Sequence, residues 1–581
     1  MRLSSSASKP RAISRREFLS KGRTPRRTQV IPPSAQPEIV SPYANKELPK
    51  LERTGAGLEP YSGPWGPDQI AHLLRRTLLG ARQADVASLL PLPMDQAISM
   101  LLADTPAPDP PVGTSTLDVD TPIGQTWINN PKICTNGYNP NNVRNQSLKA
   151  WWTGLVINQG ISMREAMTLF WHNHFVTESV EVADARFSYR YLALLRQNAF
   201  GNFKTLTKLV TIDPAMLRYL NGNTNTAAHP NENYGRELQE LFTIGKGQEI
   251  APGNYTNYTE ADVQAAARVL TGWRDDGANI TSYFTASRHD STNKQFSSDY
   301  GNTVITGRTG SAGAAEVDDL LAMIFSQEET ARFLCRKLYR WLVYYLIDDS
   351  VETKVIAPMA DILRANNYEV RPVLQALLGS AHFHDPVNTG CMIKNPVQFS
   401  AGLCRQLGIA FPPPSDVIAQ YSAWNYIRTQ AANLQLNLCD PPNVAGWPAY
   451  YQIPQFHELW INSDTLPKRS QFSDTMVSGH TVSGYKLIID PIALAGQVSD
   501  PSDPNRIVAE FSQALFPIPI TDTQKAFLKE TLIPGLPDYE WTSEWNSYQA
   551  DPTNQTKLNA VKSKLQALVR FMMDMAEYQL A

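Results

Sequence analysis

The chain has 581 residues, with 52 Lys plus Arg against 55 Asp plus Glu, nine His and five Cys. That length suggests two to four units at about 150 residues each, and a 42 % hydrophobic content excludes wholesale disorder. The longest apolar run, Trp341 to Ile347, is far short of the roughly 20 residues a membrane helix needs, so no transmembrane segment is expected.

The net charge of −3 is unevenly spread. Residues 1–30 carry nine basic side chains and one acid, Glu17, which leaves −11 for the rest of the chain. An acidic body has no basic surplus for phosphate backbones, so nucleic acid is not an expected partner. The basic segment contains Ser14-Arg15-Arg16-Glu17-Phe18-Leu19, which is similar to a twin-arginine export motif. Such a leader also needs an apolar stretch after the arginines, but here Ser20-Lys21-Gly22-Arg23 follows. Residues 1–60 are therefore read as a basic disordered tail or a degenerate leader. The cytoplasm is the expected location, and export to the periplasm is the alternative. The cysteines (Cys134, Cys335, Cys391, Cys404, Cys439) are far apart without a CxxC, which favours buried thiols over a disulfide framework.

From residue 66 helical periodicity dominates, beginning with Ile70, Leu73, Leu74 and Thr77. A Pro-, Asp- and Asn-rich loop is expected from Asp104 to Asn145, longer than a simple connector. Helices follow at 147–159, 163–175, 185–198, 202–211, 231–244, 260–272, 314–346, 352–366, 370–380 and 394–407. Ser162 with Glu165 and Thr259 with Asp262 fit the capping box that satisfies free amides at a helix start. Between 275 and 310 a Gly-, Thr- and Ser-rich stretch predicts a small hairpin and no large sheet. The expected fold is mainly α: a helical body over 61–473 and a helical C-terminal part over 474–581, with helices near 504–514, 521–533 and 556–579.

The common cofactor and hydrolase signatures are absent. Gly301 to Thr309 approaches a P-loop but has five intervening residues and Arg308 in the lysine position. No Gly-x-Ser-x-Gly occurs. His457-Glu458-Leu459-Trp460-Ile461 begins like a zincin motif but has Ile where the second ligand belongs.

Three clusters remain. In Phe170-Trp171-His172-Asn173-His174-Phe175 the two histidines stand two apart, so on a helix they diverge by about 200°. They can share a metal only where the helix ends; otherwise His174 is a core histidine bonded to a carbonyl. In His229 to Phe242, Asn233, Glu237 and Glu240 run at i, i+4 and i+7 beside an apolar stripe of Tyr234, Leu238, Leu241 and Phe242. Such carboxylates can hold a metal or act as an acid/base pair. The alternative is a salt-bridge ladder, Glu232 with Arg236 and Arg236 with Glu240. Arg288-His289-Asp290, with Lys294 four residues beyond Asp290, is either a ligand set or turn chemistry.

The strings AHLLRRTLLGA near residue 71, FWHNHF at 170–175, DPAML at 213–217, PNENYGRELQELFTIG at 230–245, YTEADVQAAARVLTGW at 258–273 and PPNVAGW at 441–447 resemble the bacterial family catalogued as domain of unknown function 1800. The likeness runs from about residue 66 to 473, and the ending MAEYQLA matches as well. It implies a helix-rich protein, often with a twin-arginine leader and encoded beside a sulfatase-like protein, which is the partner it suggests. Carried over by position, the family's polar motif residues fall on His172, Asn173, His174, Asn231, Glu232, Asn233, Arg236, Glu237, Glu240, His289, Asp290 and Lys294. Thr77-Leu78-Leu79-Gly80 departs from the family's usual small-residue and Phe-Gly turn.

Two functions follow as expectations. In a hydrolase-like enzyme His172, His174 and Asp290 would hold one divalent metal (zinc, manganese or iron). Glu237 or Glu240 would serve as general base, and Arg236 or Lys294 would hold an anionic group. In a non-enzymatic scaffold for a partner protein or an envelope glycan, the same residues would form a buried network that fixes helix packing.

Overall fold

A computed structural model describes residues 41–43, 46, 52–251 and 253–581. The twin-arginine-like residues 14–19 lie outside the described residues. Residues 52–60, expected within a loose tail, are tied to the body. Leu58 N–H donates to the Lys354 carbonyl (3.1 Å), Ala381 N–H donates to the Glu59 carbonyl (2.8 Å), and Thr54 donates twice to Asp385. An extended strap of this kind has no periodicity to announce it, because its partners are distant in sequence.

The fold is mainly helical, with only two-stranded sheets among the described residues. Helix α1 (Pro67–Thr77) starts on Pro67, has Asp68 in its first turn and ends on Arg75 and Arg76, as the helix dipole favours. The irregular stretch after Leu102 ends at Asn141, a few residues earlier than expected, where α2 (Asn141–Asn158) begins. Helix α2 buries both Leu148, Ala150 and Trp152 and the polar Lys149 and Thr153, so its sides are all covered. Helix α3 (Arg164–His174) lacks the expected capping box: Ser162 reaches only the Arg164 amide (3.3 Å), while Glu165 turns inward to Arg196 (2.7 Å) and Trp152 (3.2 Å).

Helix α4 (Glu232–Glu237) continues as a π-helix, Leu238–Thr243, where a single α-helix was expected. Helix α5 (Glu260–Val269) carries the predicted box, with Thr259 and Asp262 exchanging side-chain and backbone bonds. The expected helix 314–346 is two helices, α6 (Glu316–Ser326) and α7 (Glu328–Leu342), because Gln327 is extended and the Thr330 hydroxyl takes the Ile324 carbonyl (2.8 Å).

Strands β1 (Glu249–Ala251) and β2 (Asn254–Tyr255) form one antiparallel pair. The expected hairpin region holds two more. In β3 (Trp273–Asp276) and β4 (Thr281–Phe284), Trp273 faces Phe284; in β5 (Lys294–Gln295) and β6 (Val304–Ile305), Lys294 faces Ile305.

Two apolar cores organise the helices. The first gathers Leu73, Phe170, Trp171, Leu238, Val263, Leu320, Leu338 and Leu374. The second gathers Leu148, Trp152, Leu403, Ile427, Met476, Trp541, Val561 and Leu568. It is built from α2, α8 (Pro396–Gln406), α9 (Val417–Asn433), α10 (Thr465–Ser478) and α11 (Gln555–Asp574). Helix α10 runs across position 473, and α11 packs on it through Leu565 and Leu568, so side chains from both sides of that position share one core. Helix α3 is the wall between the cores: Phe170 and Trp171 enter the first, Ala166 and Leu169 the second.

Candidate functional site

The position of α3 decides the fate of its histidines. Two residues apart, they point into different cores, as helical geometry requires. His172 is buried among Trp152, Tyr191 and Trp447, and burial lowers its pKa to about 4 despite nearby Asp440. His174 meets Phe175 and Phe203 edge-on and donates from Nε2 to the Phe242 carbonyl (2.9 Å). Burial also holds His174 neutral. Between them, Asn173 accepts a bond from the Trp447 amide (2.9 Å), so the strings FWHNHF and PPNVAGW meet in space. Gly446 permits that approach: it has φ +96°, and a Cβ there would lie 2.3 Å from the Asn173 oxygen.

The contact from His174 to Phe242 belongs to a set that holds the π-helix. A π-turn pairs residues five apart, so its end leaves carbonyls that the α-helical ladder would have taken. Several find a side chain here. Thr243 donates to Leu238 (2.5 Å), Lys337 of α7 to Leu241 (2.8 Å), His174 to Phe242 (2.9 Å) and Asn257 to Gly245 (3.0 Å). Burial pushes the Lys337 ammonium down to about 7.

The π-segment also reorders the expected ladder of charges. Arg236 pairs with Glu232 (3.4 Å), as i, i+4 spacing predicts. Its second partner is Glu260 on α5, held by two bonds of 2.5 and 2.6 Å, and not Glu240. Glu240 instead accepts from the Tyr258 hydroxyl (3.0 Å) and lies 3.7 Å from Lys246. Glu237 makes no hydrogen bond or ion pair among the described residues. Burial first, and the neighbouring Glu240 charge second, push its carboxyl up to about 7. Its field reaches Tyr219, whose hydroxyl donates to Glu178 (3.0 Å). Glu237 and Glu240 thus form a pair with different surroundings, one carboxyl protonated near neutrality and one paired.

The third cluster is a closed network. Lys294, fully buried on β5, donates to Glu316 at the start of α6 and to the Asp290 carbonyl. Glu316 also accepts the Arg308 amide (2.6 Å) and lies 3.0 Å from His289 Nε2. His289 donates from Nδ1 to the Thr271 carbonyl (3.0 Å). Although burial opposes it, the Arg268 guanidinium (2.7 Å) and Thr292 hold Asp290 at about 2. The network pins both short hairpins to α5 and α6.

Of the seven residues named from sequence, the structure brings Glu237, Glu240 and Arg236 onto one helical segment and gathers Asp290 and Lys294 around Glu316. The expected metal set is not brought together. His172 and His174 face different cores, Asp290 is held by Arg268, and the described residues contain no group of three His, Cys, Asp or Glu placed to hold a metal ion. The role of holding an anion is likewise not open to Lys294, whose ammonium is enclosed with Glu316. Four participants were missed. Glu316 sits at a helix start with no motif around it, and Tyr219 lies just beyond DPAML. Lys246 follows the quoted string ending in FTIG and Tyr258 opens the quoted string YTEAD, and those positions are the one signal that could have found them.

The model of the family described as protein of unknown function (DUF1800) matches residues 72–580, so the chain belongs to that family. The match takes in the C-terminal helices as well as the body. No curated protein and no solved structure matches the chain.

Proposed function

We propose that this DUF1800 family member is a hydrolase-like enzyme in which Glu237 and Glu240 form the acid/base pair. The observation that carries the reading is the state of Glu237. It is a half-buried carboxyl without a partner, raised to about 7 beside a second carboxylate that is paired with Tyr258 and Lys246. A group with that pKa can give and take a proton at neutral pH, and carboxyl pairs whose surroundings separate their pKa values are the usual acid/base assignment. The π-helix beneath them adds support, since such segments occur frequently at functional sites. Lys246 is the cation available to an anionic group of the substrate. Arg236 takes a positioning role, because its guanidinium is occupied by Glu232 and Glu260.

The test is hydrolysis of p-nitrophenyl esters, phosphates and glycosides by the wild type, Glu237→Gln and Glu240→Gln. Turnover of one substrate class is expected, with a pH profile breaking near 7 and a loss of about 10²–10⁴-fold in Glu237→Gln. Equal turnover by wild type and Glu237→Gln, or none by any of the proteins, overturns the reading.

The scaffold reading draws on a different observation, the buried network in which Lys294 pairs with Glu316 and Asp290 with Arg268, which does what a packing device does. A partner protein or envelope glycan bound equally well by wild type and Glu237→Gln, with no turnover, would favour it.

A further inference from the structure

The residues ahead of α1 carry contacts that the glutamate site does not use, and they fall into two groups. In the first, Tyr43 and Lys46 reach the turn Ala576–Gln579 that follows α11. The Glu577 carboxylate is almost fully buried there. It accepts from the Lys46 ammonium (2.5 Å), the Tyr43 hydroxyl (3.0 Å) and Gln524 (2.9 Å). The Ala576 amide donates back to the Tyr43 oxygen (2.8 Å), and Lys46 also donates to Gln524 (3.1 Å). Although burial opposes it, Lys46 and Gln524 hold the Glu577 carboxyl below the usual carboxylate range. Its neighbours Met575 and Tyr578 belong to the second core.

The second group lies on the first core. Arg53 pairs with Asp348 (3.2 Å), Lys354 donates to the Gly55 carbonyl (2.9 Å), and the His382 amide donates to the Gly57 carbonyl (3.1 Å). Leu58 packs against that core, and the Tyr61 amide donates to the Gly379 carbonyl (2.8 Å). Gly57 permits the approach, since a Cβ there would stand 2.8 Å from the Lys354 carbonyl oxygen. Two anchors joined by a short stretch of chain strengthen one another, because closing one raises the effective concentration of the other.

The buried charge sets the weight of the first anchor. Two of the three side chains that donate to Glu577, Tyr43 and Lys46, come from this N-terminal segment. Without them the carboxylate stays enclosed with Gln524 alone, and removing one partner of a buried ion pair is strongly destabilising. The partly exposed pair of Arg53 with Asp348 contributes far less. A cut in the chain before Ser41 leaves every one of these bonds in place, whereas a cut after Lys46 detaches both donors from the body. We propose that Ser41–Tyr43, Lys46 and residues 53–61 form an integral strap that clamps the second core to the first, and that the leader-like N-terminus is separable from the folded protein only ahead of Ser41. The latch of the strap is the Lys46–Glu577 pair. It closes only after residue 577 has been made and placed, so strap closure is a late step of folding.

The experiment uses the full chain with the recognition sequence of a site-specific protease inserted after Val40 or after Pro49, cut once the protein has folded and passed over a sizing column. Cutting after Val40 is expected to leave Tm within about 0.5 °C of the uncut protein, and cutting after Pro49 to lower it by about 2–4 °C. In the uncut chain Lys46→Met should lower Tm by a similar amount, which reads the latch even where the cut after Pro49 is incomplete. Adding Glu577→Leu to Lys46→Met should restore at least half of the loss, since no enclosed charge then remains. Equal Tm values for the two cut proteins, a Lys46→Met protein that melts with the wild type, or no recovery in the double variant overturns the proposal.

Discussion

The two glutamate centres of this protein, Glu316 and Glu237, use the same chemistry to opposite ends. Glu316 is completely buried, yet its own charge is answered by a cation and a backbone amide. Lys294 contacts one oxygen, while His289 and the Arg308 amide share the other. Glu237 is only half-buried, yet it makes no hydrogen bond or ion pair among the described residues, and the charge that acts on it most strongly, Glu240, repels it. Burial alone therefore does not mark a reactive group. A buried carboxylate with a full set of donors holds structure together, whereas a less buried one without donors keeps its proton and can exchange it.

The comparison breaks most sharply at Lys294. Lys294→Met leaves the Glu316 carboxylate enclosed without its cation, and a loss of about 3–5 kcal/mol is expected in urea unfolding. A loss below about 1 kcal/mol would mean that the network is not a structural clamp. The double change Lys294→Met with Glu316→Leu should recover much of the loss, since a buried ion pair is replaceable by apolar groups of similar volume.

At Glu237 the effect is smaller and depends on pH. Its folded pKa, about 7, stands above that of an ordinary glutamate, so the folded state binds the extra proton. The corresponding stability is fully present below about pH 4.5 and is lost as pH rises through 7. Relative to Glu237→Gln, the wild type should lose about 1–2 kcal/mol between pH 5 and 8, after allowance for solvent screening. A difference that does not change with pH would show that Glu237 titrates normally.

Glu240→Gln removes one repelling charge while leaving burial in place. The Glu237 midpoint, read by carboxyl NMR, should move down from about 7 by an amount worth about 1 kcal/mol or less. An unchanged midpoint would assign the whole effect to burial. The smallest effect is expected at Arg236, whose ion pairs with Glu232 and Glu260 are partly exposed. Arg236→Gln should cost about 0–1 kcal/mol and weaken further with salt.

Much of the helical content was legible in the chain, because apolar spacing reports which face of a helix is covered. The Thr259–Asp262 box and the Glu232–Arg236 pair were legible for the same reason: their partners stand three or four residues away. The divergence of His172 and His174 followed from helical geometry alone. The break at Gln327 and the π-helix at Leu238–Thr243 were not legible. Both depend on side chains that reach backbone carbonyls, and Lys337 and His174 arrive at the π-helix from other helices. Asp538–Ala550 was missed because its aromatic residues, Trp541, Trp545 and Tyr548, make no clean stripe among its polar ones.

By itself, the sequence determined that this is a mainly helical protein with an acidic body, and that three short strings concentrate its chemistry. It could not say which acid is paired. Arg236 is taken by Glu260 and not by Glu240, and Glu316 is neutralised because a hairpin carries Lys294 to it. Those choices are made between residues more than twenty positions apart. The free energy of a charge in a protein depends on what surrounds it in space, and only the tertiary structure decides that.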